Sequence, residues 1–482
     1  MSALVENRVS GLCGAGPRLL PSAGAQSQDG LQIPLREILS ALSYALDLTE
    51  GAVPGHALRC CLYGLRIAGE LGLPTEMCAD LYYALLLKDV GCSSNSARMC
   101  LLIGGDDRQM KHDVKFLDWT RPSVGAVQAL WRQALPQAGA TERIGRILKL
   151  AAEQHRNNRE MIELRCDRGA SIARKIGLSA RTAEAIQLLD EHWDGSGYPQ
   201  RLRGAAIPML ARIMAVAQHL DVFGSETGPG RGLDAAVKEL EERSGRWFDP
   251  ELVRLVSGLH RRGQLAQAVA VENLRATVVE LEPEAGKALA AADIDLICEA
   301  FAEVVDAKSS FTYTHSVGVT HAAVGIAAEM GFRPERVRRM YRASLLHDVG
   351  KLSVPNTILD KQGKLTAEEF GIIKGHSRLT EEILGRISHF GVMAQIAGQH
   401  HEKLDGSGYP FGLTAGDLSL DSRILTVADI YGALSEERPY RKALETAQVI
   451  EIMKQDVPAK LDADCFEALV RVLHRQSTPL AG

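Results

Sequence analysis

The chain has 482 residues and no run of 18 apolar ones, so no transmembrane helix is expected. Its nine cysteines never fall in a CxxC spacing, and Cys60-Cys61 are adjacent, an arrangement that rarely bridges. Reduced thiols in a cytoplasm are the reading that follows. A basic block is also missing. With a net charge of −5, the electrostatic footprint of a nucleic-acid binder is absent, and a small anionic ligand would need a local basic site. The opening MSALVENRVSGLCGAG lacks a charged n-region followed by an apolar h-region, so no signal peptide is expected. Residues 1–30, rich in Gly, Ser, Pro and Gln, read as a flexible tail. There is no sign of a receiver domain, a PAS-like β-rich segment or a DNA-binding module.

What is present is an ordinary globular composition, 46% hydrophobic and 24% charged, with a repeat inside it. The letters DGSGYP occur twice, in DEHWDGSGYPQRLRG (190–204) and HEKLDGSGYPFGLTAG (401–416). ARIMAVAQHLDVF (211–223) lies over SRILTVADIYGAL (422–434) at the same offset. GHALRCCLYGLRIAGELGLP (55–74) lies over THSVGVTHAAVGIAAEMGF (314–332), and ALLLKDVG (84–91) over the stretch around SLLHDVGK (344–351). The two offsets, 259 and 211, differ by 48 residues, which places an insertion in the first copy between about 100 and 150. A repeat this long argues for duplication of a domain, because solenoid units are shorter. Apolar residues three or four apart in 315–328 and 335–347 predict helices, and β-branched clusters are few. The fold class expected is all-α. The boundaries read are a first copy at 31–257, a linker at 258–298 and a second copy at 299–482. The linker reads equally as a short strand pair or a helix.

Seven of the 14 histidines fall between residues 315 and 401. In order, the second copy offers His315, His347-Asp348, His376, His400-His401 and Asp429. Imidazole and carboxylate together suit divalent Mn, Fe, Zn, Co or Ni. Five His and two Asp exceed the need of one metal and are about right for two. Such a pair with open positions activates water for in-line attack on a phosphodiester.

The series YTHSVGV, LLHDVGKLSVPNTIL, KGHSRLTEEIL, QHHEKLDGSGYP and ADIYGALSEERPYR resembles the HD-GYP family of HD-domain metal phosphohydrolases over about 299–475. The first copy resembles it in degenerate form. The resemblance implies two HD-domain helical bundles, the second with a GYP loop and C-terminal helices. It implies a phosphodiesterase that opens cyclic di-GMP to pGpG and in some cases GMP. The alternatives are the mixed 3',3'-cyclic GMP-AMP as substrate, or a signalling adaptor with little turnover. By position, His315, His347, Asp348, His376, His400, His401 and Asp429 match the family's ligands for two divalent metals, Fe or Mn first, with Zn, Ni or Co open. Asp348 would bridge them, and Lys351 matches the lysine on the scissile phosphate. Tyr409, Arg438, Tyr440 and Arg441 match a nucleotide-facing set. The partners implied are a cyclic dinucleotide and, at the GYP loop, signalling proteins such as diguanylate cyclases. DNA and membrane are not expected, and a homodimer is left open.

Two departures stand out. Three-metal members carry a Glu where this chain has Phe311, which predicts two metals. Many members carry Asp where this chain has Gly432, a change expected to bear on base preference. In the first copy the seven positions read His56, Lys88, Asp89, Arg165, Leu189, Asp190 and Gln218, with Cys92 for the lysine. Two cations and an aliphatic side chain replace imidazoles, so no catalytic metal is expected there. The retained DGSGYP then reads as structural, with a nucleotide phosphate on Lys88 and Arg165 as the sharper alternative.

Overall fold

The computed structural model describes residues 33–117, 124–135, 138–225, 231–283, 289–309, 315–437 and 442–477. The tail read at 1–30 lies outside them. Among the described residues there are helices, 3₁₀ turns and two isolated bridges, but no strand, so the fold is all-α as expected.

In the first half, α1 is Leu35–Thr49, α2 His56–Glu70 and α3 Thr75–Leu87. The inserted stretch supplies α4 Ser96–Ile103, α5 Asp107–Lys115, α6 Val124–Gln133 and the start of α7 Ala140–Lys175. Then come α8 Ala180–Gln187, α9 Met209–Gly224, α10 Leu233–Glu242 and α11 Pro250–Arg261. The segment left undecided between strand and helix is helical, with α12 Gln264–Val269 and α13 Leu274–Glu280. It packs on the first half, where the Tyr82 hydroxyl donates to the Val278 carbonyl at 3.0 Å.

The second half runs α14 Ala291–Asp306, α15 His315–Glu329, α16 Pro334–Leu346, α17 Asn356–Leu359, α18 Ala367–Leu384 and α19 Gly391–Gly398. It closes with α20 Leu420–Ser435, α21 Thr446–Lys454 and α22 Ala463–Ser477. α15 is the central helix because it is apolar on most of its circumference: Val319, Ala322, Ala323, Val324, Ile326 and Ala327 are all buried. Each buried Val or Ile contributes roughly 1.5–3 kcal/mol.

The halves repeat one packing scheme. α2 lies between α3 and α9 as α15 lies between α16 and α20. Arg212 ties α9 to Asp249 at 2.7 Å, and Arg423 ties α20 to Asp462 at 3.0 Å. Asp47 caps the start of α2 through the Gly55 and Ala57 amides (2.9 and 3.0 Å). Its counterpart Asp306 caps α15 through the Ser316 amide and hydroxyl (3.2 and 2.7 Å). Both caps fix the helix start that carries the first histidine, His56 or His315.

The DGSGYP loop has the same geometry in both halves. Asp194 and Asp405 each accept the amide two residues on, from Ser196 at 2.9 Å and Ser407 at 3.0 Å. Gly195 and Gly406 sit at φ +78° and +77°. A Cβ on Gly197 or Gly408 would collide with the backbone just before the loop. The residue after the position of His401, Glu402 or in the first half Glu191, points a carboxylate back into the loop. Glu191 accepts the Gln200 and Leu202 amides (2.5 and 2.8 Å), and Glu402 those of Phe411, Gly412 and Leu413 (2.6, 3.2 and 2.9 Å).

Candidate metal centre

His347 follows the last residue of α16, and Asp348 leads into the 3₁₀ turn Val349–Ser353. Gly350 lets that turn press against α18, since a Cβ there would collide with the His376 carbonyl. Thr380 locks the contact: its hydroxyl donates to the His347 carbonyl (2.9 Å) and accepts the Gly350 amide (3.0 Å). His400 and His401 follow α19, and Asp429 comes from the middle of α20.

These elements bring all seven expected ligands together around Asp348, which has its two carboxylate oxygens facing two groups. Oδ2 lies 3.6 Å from His315 Nε2 and 3.3 Å from His347 Nε2, with Asp429 Oδ1 3.3 and 3.7 Å from the same nitrogens. Oδ1 lies 3.3 Å from His376 Nε2 and 3.6 Å from His400 Nε2, which are 3.2 Å apart. His401 Nδ1 is 3.4 Å from Asp429 Oδ2. Donors bound at about 2.1 Å to one cation lie about 3.0–3.4 Å from one another, so each group has the spacing of a coordination sphere.

The imidazoles are held in the ligating tautomer. Nδ1 donates to the carbonyl three residues back in His347 (Ser344, 2.6 Å), His376 (Ile373, 2.5 Å) and His400 (Ala397, 2.6 Å), leaving Nε2 to face the centre. His315 Nδ1 is 2.9 Å from Glu436 Oε2. His315 Nε2, His347 Nε2 and Asp348 Oδ1 are buried without a hydrogen-bond partner, which ordinary folded proteins avoid. Orphaned donor atoms in both groups fit bound cations.

The electrostatics agree. Burial pushes His401 down to about 3 and His400 well below its ordinary value, so both rings are neutral donors. Burial opposes charge on His347 too, yet Asp348 and Asp429 outweigh it and hold a proton there up to about 10. Asp348 and Asp429 are themselves held well below the carboxylate range: burial opposes their ionisation, and the surrounding imidazoles, with Lys351 for Asp348, overcome it.

Lys351 Nζ lies 2.5 Å from Asp348 Oδ2 and reaches the surface of the centre. The Tyr409 ring stands 4.7 Å from the His401 ring at the mouth. Arg438, Tyr440, Arg441 and Phe311 lie outside the described residues. The sequence reading missed Glu436, Glu402 and Asp306. Glu402 and Asp306 were readable in principle, because Glu191 and Asp47 stand at the matching positions of the first half. It also missed a rim of aromatics and cations. Phe370 and Phe411 are about two-fifths exposed, Lys374 Nζ lies 4.8 Å over Phe370 and 5.2 Å over Tyr409, and Arg378 lies 5.5 Å over Phe411.

The first half explains Gly432. Its counterpart is Asp221, whose Oδ2 lies 2.6 Å from His56 Nδ1. A carboxylate here orients the first histidine. In the second half a Cβ on Gly432 would sit 2.8 Å from Val319, and Glu436, one turn later, takes the same nitrogen.

At the first half's own centre, Lys88 Nζ is fully buried, 2.8 Å from His56 Nε2 and ion-paired with Asp89. Burial and Lys88 push His56 down to about 4. Arg165 pairs with Asp190, and Glu50 lies 3.3 Å from Lys111 and 3.2 Å from Lys115. Lys88 occupies the space between the ligand positions. Its burial leaves it unable to meet a ligand, which removes it from the phosphate site suggested by the sequence.

Comparison with known proteins agrees on the family. The HD domain model matches residues 123–252 and 299–465. The 3'3'-cGAMP-specific phosphodiesterase 3 of Vibrio cholerae is 40% identical over 442 residues, covering 92% of this chain and 95% of that one. A cyclic di-GMP phosphodiesterase of Pseudomonas aeruginosa is 35% identical over 167 residues, 34% of this chain and 40% of that one. The crystal structure of a cyclic GMP-AMP specific phosphodiesterase of V. cholerae superposes with a TM-score of 0.63 at 35% identity, covering 92% of this chain and 98% of that one.

Proposed function

This chain belongs to the HD-GYP family of HD-domain proteins, and from that premise we propose that it is a metal-dependent phosphodiesterase of 3',3'-cyclic GMP-AMP. The sequence reading put cyclic di-GMP first and the mixed dinucleotide second. The order is reversed here because a relative acting on the mixed dinucleotide matches nearly the whole chain. The cyclic di-GMP relative quoted above matches about a third of it.

The observation that carries the chemistry is Asp348, with one oxygen in each of two imidazole-rich groups. His315, His347, Asp348 and Asp429 would hold one divalent ion, and His376, His400, His401 and Asp348 a second. When bound, such ions supply Lewis-acid activation of water and neutralise charge on the phosphodiester. The chain's own groups do the rest. The carbonyl-bound Nδ1 protons keep the histidines facing inward. Lys351 offers an ammonium beside Asp348 for a non-bridging phosphate oxygen as charge builds in the transition state. The exposed rings of Phe370 and Phe411, with Lys374 and Arg378 over the rim, suit a purine base next to a phosphate. Tyr409, Arg438, Tyr440 and Arg441 are assigned to the nucleotide on the family pattern.

The test is purified full-length protein with Mn²⁺ or Fe²⁺, with both cyclic dinucleotides followed by chromatography and Asp348→Ala alongside. The expected result is loss of the mixed dinucleotide with kcat/KM at least about tenfold above cyclic di-GMP, a difference of about 1.4 kcal/mol in the transition state. Equal or reversed rates would overturn the substrate assignment. Turnover that survives in Asp348→Ala would overturn the centre.

A further inference from the structure

The first half has lost its metal ligands but kept a cavity where they would be. It measures about 210 Å³, and Arg165, Leu189, Asp190 and Gln218 all line it. These are the counterparts of His376, His400, His401 and Asp429. Two further walls come from the insertion, through Lys111 and Lys115 of α5. Three cations, Lys111, Lys115 and Arg165, face it together with two carboxylates that pair with them, Glu50 and Asp190. Glu191 also lines it, but its oxygens are occupied by loop amides. His219 lines it as well, nearly fully buried, with Nε2 lacking a partner.

The same insertion helix reaches the other half. On its cavity side, Lys111 Nζ lies 3.2 Å from the Cys92 carbonyl and 2.8 Å from Ser96 Oγ. Cys92 is the counterpart of Lys351. One turn earlier on the same helix, the Arg108 guanidinium donates to the Ser353 carbonyl and, at 2.9 Å, to the Leu48 carbonyl. Asp107 is fully buried and accepts the Asn356 amide at 2.8 Å, with Lys308 Nζ 3.7 Å away. Thr49 Oγ1 sits 3.4 Å from the Leu352 carbonyl. The turn that carries Lys351 is thus gripped at its exit by α1 and α5, and α5 is gripped in turn by the walls of the cavity.

We propose that this cavity is a regulatory site for a phosphate ester of mononucleotide size, and that α5 carries its occupancy to the Lys351 turn. Where the catalytic half recruits metal cations to meet phosphate, the first half presents side-chain cations, which bind but cannot activate water. The phosphate takes Arg165 and Lys115 from Asp190 and Glu50. The volume lies below the roughly 300–1,000 Å³ of pockets that enclose drug-sized ligands, so it suits a mononucleotide, part of it in the open mouth, better than a whole cyclic dinucleotide. Releasing Glu50 from Lys111 and Lys115 frees α5, and with it the grip of Arg108 on Ser353.

The binding experiment uses full-length protein stripped of metal by chelation, so that the catalytic centre takes no phosphate. Equilibrium dialysis is run with GMP and with AMP, with inorganic phosphate as competitor. One equivalent of a mononucleotide is expected, weakened at least about tenfold, or about 1.4 kcal/mol, by Arg165→Gln and by Lys115→Gln. No binding at millimolar ligand, or binding untouched by both substitutions, overturns the site. Inorganic phosphate binding as tightly as either mononucleotide overturns the nucleotide assignment. The second arm rests on the phosphodiesterase reading and the first does not, so the two can fail separately. With metal restored, the mononucleotide that binds should change kcat at least threefold while leaving KM in place. Arg165→Gln should abolish the response by losing the ligand, and Arg108→Ala should abolish it while still binding. A response that persists in Arg108→Ala overturns the route through α5.

Discussion

The two halves of this chain share a scaffold and differ at its centre. Both place a histidine at the head of a capped helix, an Asp at a tight turn against a glycine, and a DGSGYP loop held by a buried Glu. At five of seven positions around that centre the first half has Lys, Arg, Leu, Asp or Gln where the second has His or Asp. The result is two kinds of electrostatic solution. In the second half, imidazoles and ionised carboxylates leave orphaned donor atoms facing one another. In the first, Lys88 fills the same space and pairs with Asp89. The residues that make the fold and those that make the chemistry are therefore separable sets, and a duplicated domain can lose one while keeping the other.

The comparison can be broken at its strongest point by Asp348→Ala. Turnover should fall at least about 10³-fold, some 4 kcal/mol of barrier, with loss of bound metal. Asp89→Asn, the matching change in the first half, should leave metal content untouched while costing about 3–5 kcal/mol of stability, because it strands Lys88 in the interior. Lys351→Ala should lower kcat by about 10²–10³ with metal retained, read by steady-state kinetics beside metal analysis. Its counterpart Cys92→Ala should leave kcat where it was.

Glu436→Gln sharpens the account of Gly432. If Glu436 stands in for the carboxylate that Asp221 supplies in the other half, metal affinity should fall about 10–100-fold on titration against a chelator. Unchanged affinity would mean that His315 needs no such partner. Glu191→Gln and Glu402→Gln should each cost about 1.5–3 kcal/mol in denaturant unfolding, since each carboxylate satisfies loop amides. Only the second should also slow turnover.

The smallest expected effect concerns pH. Burial raises Asp47 from its ordinary value of 3.8 to about 7, against the pull of Lys88 and two backbone amides. Its carboxyl is protonated in the fold and ionised in the unfolded chain across that window. The folded state binds the extra proton there, so this group's contribution to stability falls as pH rises from about 4 to 7. Asp47→Asn should flatten that part of the stability–pH curve.

Much of this was legible in the sequence. The helical periods of 315–328 and 335–347, the repeat, and the order His315, His347-Asp348, His376, His400-His401, Asp429 lead to α15, α16 and a single cluster. Those residues declare themselves because metal chemistry restricts side-chain types so severely. What stayed hidden acts through the backbone or across long separations. Glu402 holds amides nine to eleven residues ahead, a role that any acidic side chain in a loop conceals. Arg108 and Asp107 meet partners about 245 residues away, and no local pattern marks them. Lys88 looked like a phosphate ligand by position, but only its burial reveals that its charge is already spent on Asp89. The segment 258–298 was ambiguous because the helices inside it, α12 and α13, are short.

The central claim is that one half binds metal and the other does not. The most direct measurement is metal content per chain by mass spectrometry after reconstitution with Mn²⁺ and gel filtration, for the wild type, the His400→Ala/His401→Ala double variant combined with Asp348→Ala, and Asp89→Asn. The account predicts two ions in the wild type, none in the triple variant and two in Asp89→Asn. Metal that stays in the triple variant, or leaves with Asp89→Asn, would contradict it.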